Sequence, residues 1–272
     1  MLKSIDVFGL QLQTFGIFFA LNFLCWAAVA ARRLKELGKP VDWAYEMLFV
    51  ALIGGLIGAR GYFLLQNWDD VKGDVFGSLF SGGGLIWYGG LIGGVIAMLI
   101  WAKWRGFLSL HLVDIAAIGL PLGYAIGRIG CQISGDGDYG KESSLPWAMG
   151  YPHGAVPTDP GVEVQPTPIY ETLSMGLLAF VLWNLRDRFR PGVLFGFYLV
   201  GAGIERFLVE FARRNDLVVG FMTAAQVESL IMFALGVAWL LFMRARGGGQ
   251  LVASDAPAPQ PKDAKRRRPA TA

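Results

Sequence analysis

Seven apolar runs, each near twenty residues, alternate with polar connections along the chain: roughly 10–31, 43–66, 84–103, 111–130, 168–185, 192–211 and 219–243. About 20 apolar residues in a helix span the ~30 Å hydrocarbon core of a bilayer. The pattern therefore predicts an all-α polytopic membrane protein with seven transmembrane helices. The fourth run contains Pro121 and has Asp114 near its start. Proline is tolerated in such a helix where neighbours satisfy the freed carbonyl. Between the fourth and fifth runs lies one long connection, 131–167. Its prolines (Pro146, Pro152, Pro157, Pro160 and Pro166) predict irregular structure with room for a short helix.

Composition agrees with this pattern. The chain is 54% hydrophobic and 17% charged, with a mean hydropathy of +0.47, against about 25% charged in an average soluble domain. No short apolar region followed by a small-residue cleavage site opens the chain, so the first run reads as a retained span. Residues 1–246 form one transmembrane domain. Residues 247–272, rich in Gly, Ala, Pro and Gln and ending in a basic cluster, read as a disordered tail.

Basic residues set the orientation. Sixteen fall on one side: in the first, third and fifth connections and at the C-terminal end. Five (Lys3, Lys72, Lys141, Arg213 and Arg214) fall on the other, and Arg60, Arg128 and Arg206 lie inside runs. The N-terminus is therefore expected outside (periplasmic) and the C-terminus cytoplasmic.

Intramembrane arginines cost about 2.5–3.5 kcal/mol on insertion scales. Arg60, Arg128 and Arg206 all fall in the outer part of runs that cross from inside to outside. Three cations from three helices thus converge on the outer leaflet. Runs three and five begin on that side, supplying Tyr88 from "GGGLIWYGGLIGG" and Gln165, Tyr170 and Glu171 from "QPTPIYE". Run six, "GAGIERFLVEF", adds Glu205 and Glu210. Glu210 lies four residues beyond Arg206, on one helix face, and can pair with it. Gly83, Gly84, Gly89, Gly90, Gly93 and Gly94 allow close backbone approach to another helix or to a ligand. A polar, cationic pocket in a greasy wall suits an anionic amphiphile such as a phospholipid headgroup, since guanidinium binds phosphate bidentately.

The stretch "GRIGCQISGDGDYG" (127–140) invites a metal reading, because Asp136 and Asp138 are spaced as in a calcium loop. An EF-hand requires Glu twelve positions along, and Trp147 stands there. No metal is expected. A dinucleotide fingerprint would require a preceding strand. Its glycines, Gly140 included, let backbone approach a headgroup, while Asp136 and Asp138 read as turn residues. Cys25 and Cys131 are not expected to pair.

Taken in order, "GGGLIWYGGLIGG", "GRIG" with its Gly-rich continuation, "QPTPIYE" and "ERFLVEFAR" resemble the bacterial prolipoprotein diacylglyceryl transferases over roughly 10–245. The resemblance implies a transferase of the bacterial inner membrane, with its active site toward the outer leaflet and no cofactor. Such an enzyme moves the diacylglyceryl group of phosphatidylglycerol to the lipobox cysteine thiol of a prolipoprotein, leaving a thioether and glycerol 1-phosphate. Its partners are then phosphatidylglycerol, the prolipoprotein signal peptide and membrane lipids, and not nucleic acid. It assigns the headgroup arginine to Arg128, the second essential arginine to Arg206 and the following Glu to Glu210. It maps the "His/Gln-Pro-x-x-x-Tyr-Glu" segment onto Gln165 to Glu171. Arg60, Gly89, Gly90 and Gly140 are expected beside the lipid, and Tyr88 is a candidate to relay the thiol proton.

Well-known members carry His where this chain has Tyr88, Asn where it has Cys131, and Tyr where it has Phe15 and Ala202. Two other readings remain open: a lipid-binding paralogue without transferase activity, and a transporter of an anionic solute.

Overall fold

The structure is a computed structural model and describes residues 1–7, 9–73, 77 and 86–246. Among these, seven long helices carry the fold: α1 (Thr14–Glu36), α2 (Trp43–Gln66), α4 (Trp87–Trp104), α5 (Leu110–Ser134), α6 (Thr167–Leu185), α7 (Val193–Val209) and α8 (Ala224–Ala245). A single turn, α3 (Trp68–Val71), follows α2. Two short antiparallel ribbons complete the described elements: β1 (Ser4–Val7) with β2 (Leu10–Gln13), and β3 (Leu217–Val219) with β4 (Met222–Thr223). The expected tail, 247–272, and Gly83 and Gly84 lie outside the described residues.

Four helices, α1, α2, α5 and α8, are long and apolar enough to cross a membrane. Large apolar side chains stand exposed along them and their neighbours, among them Ile57, Phe49, Ile100, Phe180 and Leu235. Bare apolar faces of this extent fit a lipid surround and not water.

Three boundaries differ from the hydrophobic pattern. The first helix begins at Thr14, not near residue 10, because Leu10–Gln13 pairs with Ser4–Val7. The alternation Leu-Gln-Leu-Gln has the period of a strand, and Gly9 makes the turn at φ 83°, its N–H donating to Asp6 Oδ1 at 2.9 Å. The fourth helix runs on to Ser134, so "GRIGCQIS" is helical and the loop begins at Gly135. There the backbone turns left-handed (φ 62°) and closes the helix with Gly135 N–H on the Cys131 carbonyl at 2.9 Å, the usual glycine stop. The seventh run opens as a ribbon and becomes helix only at Ala224, where Thr223 and Gln226 form a reciprocal capping box. The 131–167 connection holds no short helix. Beyond Ser134 it is irregular up to α6, with bridges from Val164 to Glu142 and Met149 and a core of stacked Tyr139 and Tyr151 against Val164.

The helices meet through small residues. A Cβ on Gly58 would lie 2.2 Å from the Gly89 carbonyl oxygen, and one on Gly93 would lie 2.3 Å from that of Gly54. Glycine is thus required where α2 and α4 touch backbone to backbone, as in membrane helix pairs generally. At the opposite end from the Arg128 region, Leu34, Met47, Trp101, Phe107 and Ile115 form a core shared by α1, α2, α4 and α5. Asp114, which seemed a weakness in the fourth run, is buried there for a reason. Its carboxylate accepts from the backbone N–H of Gly192 at 2.7 Å and of Phe195 at 3.1 Å, capping α7 from a neighbouring helix.

Candidate active site

Arg128 lies on α5, 14 positions past Asp114 and so about 21 Å along the helix at 1.5 Å per residue. All three of its guanidinium nitrogens are engaged. Nε pairs with Glu171 at 2.9 Å, Nη2 donates to the Tyr124 hydroxyl at 2.9 Å, and Nη1 pairs with Asp138. The guanidinium also lies against the Tyr124 ring, 4.8 Å from its centroid. Tyr124 sits one turn earlier on α5, and its hydroxyl donates to Glu171 at 3.0 Å.

Glu171 is the hub. It stands in the first turns of α6, which Pro168 helps to start, and its side chain has no solvent exposure. Besides Arg128 it receives Arg206 Nη1 at 3.2 Å and Arg213 Nη1 at 3.3 Å. Arg206 Nη2 in turn pairs with Glu210 Oε2 at 3.0 Å, the expected i, i+4 contact on α7. Glu210 also receives Asn215 Nδ2 at 2.5 Å and the Thr223 hydroxyl at 2.8 Å. The network thereby reaches the cap of α8. Glu205 faces the other way, accepting from Ser174 at 3.1 Å.

Asp138 closes the set from the loop after α5. Its Oδ1 accepts from Arg213 Nη2 at 2.6 Å while Oδ2 takes Arg128. Burial alone would raise its carboxyl; Arg128 and Arg213 hold it below the usual carboxylate range. A polar cleft of about 390 Å³ opens beside it, lined by Gly137, Asp138, Tyr139, Arg213, Arg214 and Asn215. Arg214 stacks on Tyr139 at 4.3 Å.

The expectation of a cationic pocket is thus corrected. Three arginines, Arg128, Arg206 and Arg213, meet three carboxylates, Asp138, Glu171 and Glu210. The reason is energetic: a buried guanidinium without a partner is costly, and a paired, hydrogen-bonded one is affordable. Arg213, counted from sequence as a loop cation, belongs to the centre with a side chain only 11% exposed. Tyr124 and Asp138 were likewise not marked as site residues by their sequence.

The other expected residues fall nearby or elsewhere. Gly140 packs where a Cβ would lie 2.3 Å from the Ala212 carbonyl oxygen, and its N–H donates to the Gln165 carbonyl at 2.8 Å. Gln165 thus contributes backbone to the loop that presents Asp138. The Tyr170 hydroxyl receives Trp147 Nε1 at 2.6 Å. Arg60 is buried in α2, with its guanidinium 5.0 Å from the Phe63 ring centroid. Gly89 sits against Gly58, in the seam between α2 and α4, and Gly90 flanks that seam. Tyr88, at the start of α4, is half-exposed and donates to Glu228 of α8 at 2.5 Å. Cys131 Sγ and the carboxylates of Asp136 and Asp138 bring three potential ligand atoms within 4.8 Å of one another, but the Asp138 oxygens already serve two guanidiniums. Cys25 and Cys131 are free thiols.

The fold and site define a helical membrane protein with a buried, charge-balanced arginine–carboxylate network at one end, beside a polar cleft. Sequence comparison narrows the class. The chain belongs to the prolipoprotein diacylglyceryl transferase family, matching its family model over residues 3–242. It is 32% identical to the phosphatidylglycerol–prolipoprotein diacylglyceryl transferase of Clostridioides difficile (strain 630), over 84% of this chain and 89% of that one. It is also 32% identical to the proteins of the same name from Acinetobacter baumannii (strain SDF), over 88% and 90%, and Methylococcus capsulatus, over 87% and 93%.

Proposed function

We propose that this protein transfers the diacylglyceryl group of phosphatidylglycerol to the cysteine thiol of a prolipoprotein lipobox, the first step of bacterial lipoprotein maturation. The observation that carries the reading is the convergence of Arg128, Arg206 and Arg213 from two helices and a loop onto Glu171, in a chain of this family. All seven long helices cross the inner membrane, with the N-terminus outside and the Arg128 end at the outer leaflet. The distribution of basic residues supports that orientation: Arg33 and Arg186 share Glu36, and Arg105 pairs with Glu46, at the far end from Arg128.

In the reaction the cysteine sulfur attacks the glyceryl carbon that bears the phosphate. A C–S bond forms, the C–O bond breaks, and glycerol 1-phosphate leaves with the bonding pair. Arg128 and Arg206 stabilise the charge that develops on that phosphate, held in place by Glu171 and Glu210. Fixed donors in a low-dielectric site act strongly on developing charge, and removing one costs about 10²–10³ in rate. The thiol must lose a proton. Tyr88, hydrogen-bonded to the Glu228 carboxylate, takes it at Oη while passing its own to Glu228. Arg60 and Gly90 line the approach of the lipid, Gly89 and Gly140 let the backbones that flank it pack closely, and Gln165 and Tyr170 brace the loop and α6.

The test uses purified protein, phosphatidylglycerol and a lipobox peptide, with mass spectrometry for the added diacylglyceryl group. Wild-type protein gives the adduct, and Arg128→Ala and Arg206→Ala lose it. Undiminished turnover in either variant would refute these assignments. Absence of any adduct from the wild-type protein would favour a lipid-binding paralogue.

A further inference from the structure

One carboxylate of the network is unlike the other two. Glu171 and Glu210 have no side-chain exposure and sit on helices or at a helix end, whereas Asp138 stands on a loop with its side chain 34% exposed. It borders the 390 Å³ cleft. Its two oxygens go to two different guanidiniums, Oδ2 to Arg128 and Oδ1 to Arg213. A phosphate offers two oxygens to two arginines in the same fashion.

The backbone beneath Asp138 is tied down. Its carbonyl accepts from Thr167 at 2.6 Å, Tyr139 donates to the Val156 carbonyl at 3.0 Å, and Gly140 is clamped between Ala212 and Gln165. The carboxylate can leave by side-chain rotation toward the cleft with the loop in place. Glu171 and Tyr124 take Nε and Nη2 of Arg128 from a buried and a partly buried position, so a ligand that bridges Nη1 of Arg128 and Nη2 of Arg213 from the cleft side must take the place of the Asp138 carboxylate.

We infer that Asp138 is a resident anion that keeps Arg128 and Arg213 in register in the place of a phosphate, and that a phosphate-bearing ligand displaces its carboxylate into the cleft. This rests on the phosphate-binding reading of Arg128 given above. Two consequences follow. The site stays charge-balanced in a low dielectric when it holds no lipid, and the ligand must outcompete an internal carboxylate. Apparent affinity is lowered by the fraction of molecules in which Asp138 has not moved.

The experiment uses the full chain in phosphatidylcholine nanodiscs, titrated with inorganic phosphate by calorimetry. In parallel, transfer kinetics are measured with phosphatidylglycerol as the lipid source. Asp138→Asn and Asp138→Ser bind phosphate about tenfold more tightly than wild type, the gain expected when the carboxylate is in place in about nine molecules in ten, and KM for phosphatidylglycerol falls alongside. Tightening toward inorganic phosphate with no change in KM would limit the displacement to the free anion. Equal or weaker phosphate binding by both variants overturns the inference.

A wild-type measurement covers the case in which neither variant folds. Carbodiimide labelling of Asp138, read by peptide mass spectrometry with sulfate as the tetrahedral anion, rises on anion binding; protection would overturn the inference. The two levels of claim fail differently. If Arg128→Ala binds phosphate as well as wild type and no adduct forms, the functional reading fails. If Arg128→Ala loses binding while the Asp138 variants do not gain it, only the displacement fails.

Discussion

Glu171 and Arg128, from α6 and α5, are joined at 2.9 Å between Oε2 and Nε, with the carboxylate wholly removed from solvent. Removing the charge leaves three arginines with two carboxylates, Asp138 and Glu210, at a buried site. Glu171→Gln is therefore expected to cost about 3–5 kcal/mol of stability and to abolish transfer. A detergent melt together with the adduct assay checks both, and a variant that melts like wild type would show that Glu171 is not the hub.

Asp114 gives the opposite profile. It caps α7 through Gly192 and Phe195 at the far end from the site. Asp114→Ala lowers stability by about 1–2 kcal/mol, as loss of a cap does, with KM for phosphatidylglycerol unchanged. Asp114→Asn, which keeps an acceptor oxygen, recovers part of the loss. A change in KM would mean that the inner end and the site are coupled.

The seam between α2 and α4 discriminates among its glycines. A Cβ at Gly55 would have 3.5 Å to its nearest neighbour, whereas one at Gly58 would meet backbone at 2.2 Å. Gly55→Ala should express and melt like wild type, and Gly58→Ala should lose folded yield. Equal behaviour of the two would remove the close approach from the account.

Tyr88→Phe removes the hydroxyl that bonds Glu228. If the phenol relays the thiol proton, kcat falls by about 10²-fold, the lower range for general acid–base help, while the melting temperature barely moves. An unchanged kcat would take the phenol out of the chemistry.

The depressed Asp138 carboxyl fixes the sign of a pH effect. A group whose folded pKa lies below its unfolded one stabilises fully above the unfolded value, near 3.9, and loses that contribution as pH falls through the folded value. The difference in melting temperature between wild type and Asp138→Asn is expected to be constant from pH 8 to about 5 and to shrink only below about 4. A difference that already shrinks between pH 7 and 5 would contradict it.

Much of the helical order was legible because apolar runs of bilayer length leave few alternatives. The i, i+4 pairing of Arg206 with Glu210 was legible for the same reason, since helix geometry alone dictates it. The hairpin at 4–13 was obscured by the adjoining apolar run, although Leu-Gln-Leu-Gln carried a strand period. The extension of α5 through Ser134 was hidden by glycines that read as loop, yet Gly130 sits in helix against Phe18. Asp138 and Arg213 escaped notice because each looked like an ordinary loop residue. What brings them together is the fold of 135–166 back over the end of α7, which no local pattern encodes. Glycines Gly89 and Gly90 were open to two uses, and the packing of Gly89 on Gly58 belongs to helix contact.

One-for-one pairing of guanidiniums and carboxylates also governs how substrate arrives. Opposed charges a few ångströms apart present a short-range dipolar array, so little field extends past a Debye length of about 8 Å into the medium. Under the proposed function, an anionic lipid is then expected to arrive by lateral diffusion in the leaflet and to be recognised on contact, not drawn in from afar. Lipid capture should accordingly depend on the mole fraction of phosphatidylglycerol in the bilayer far more than on the ionic strength outside it.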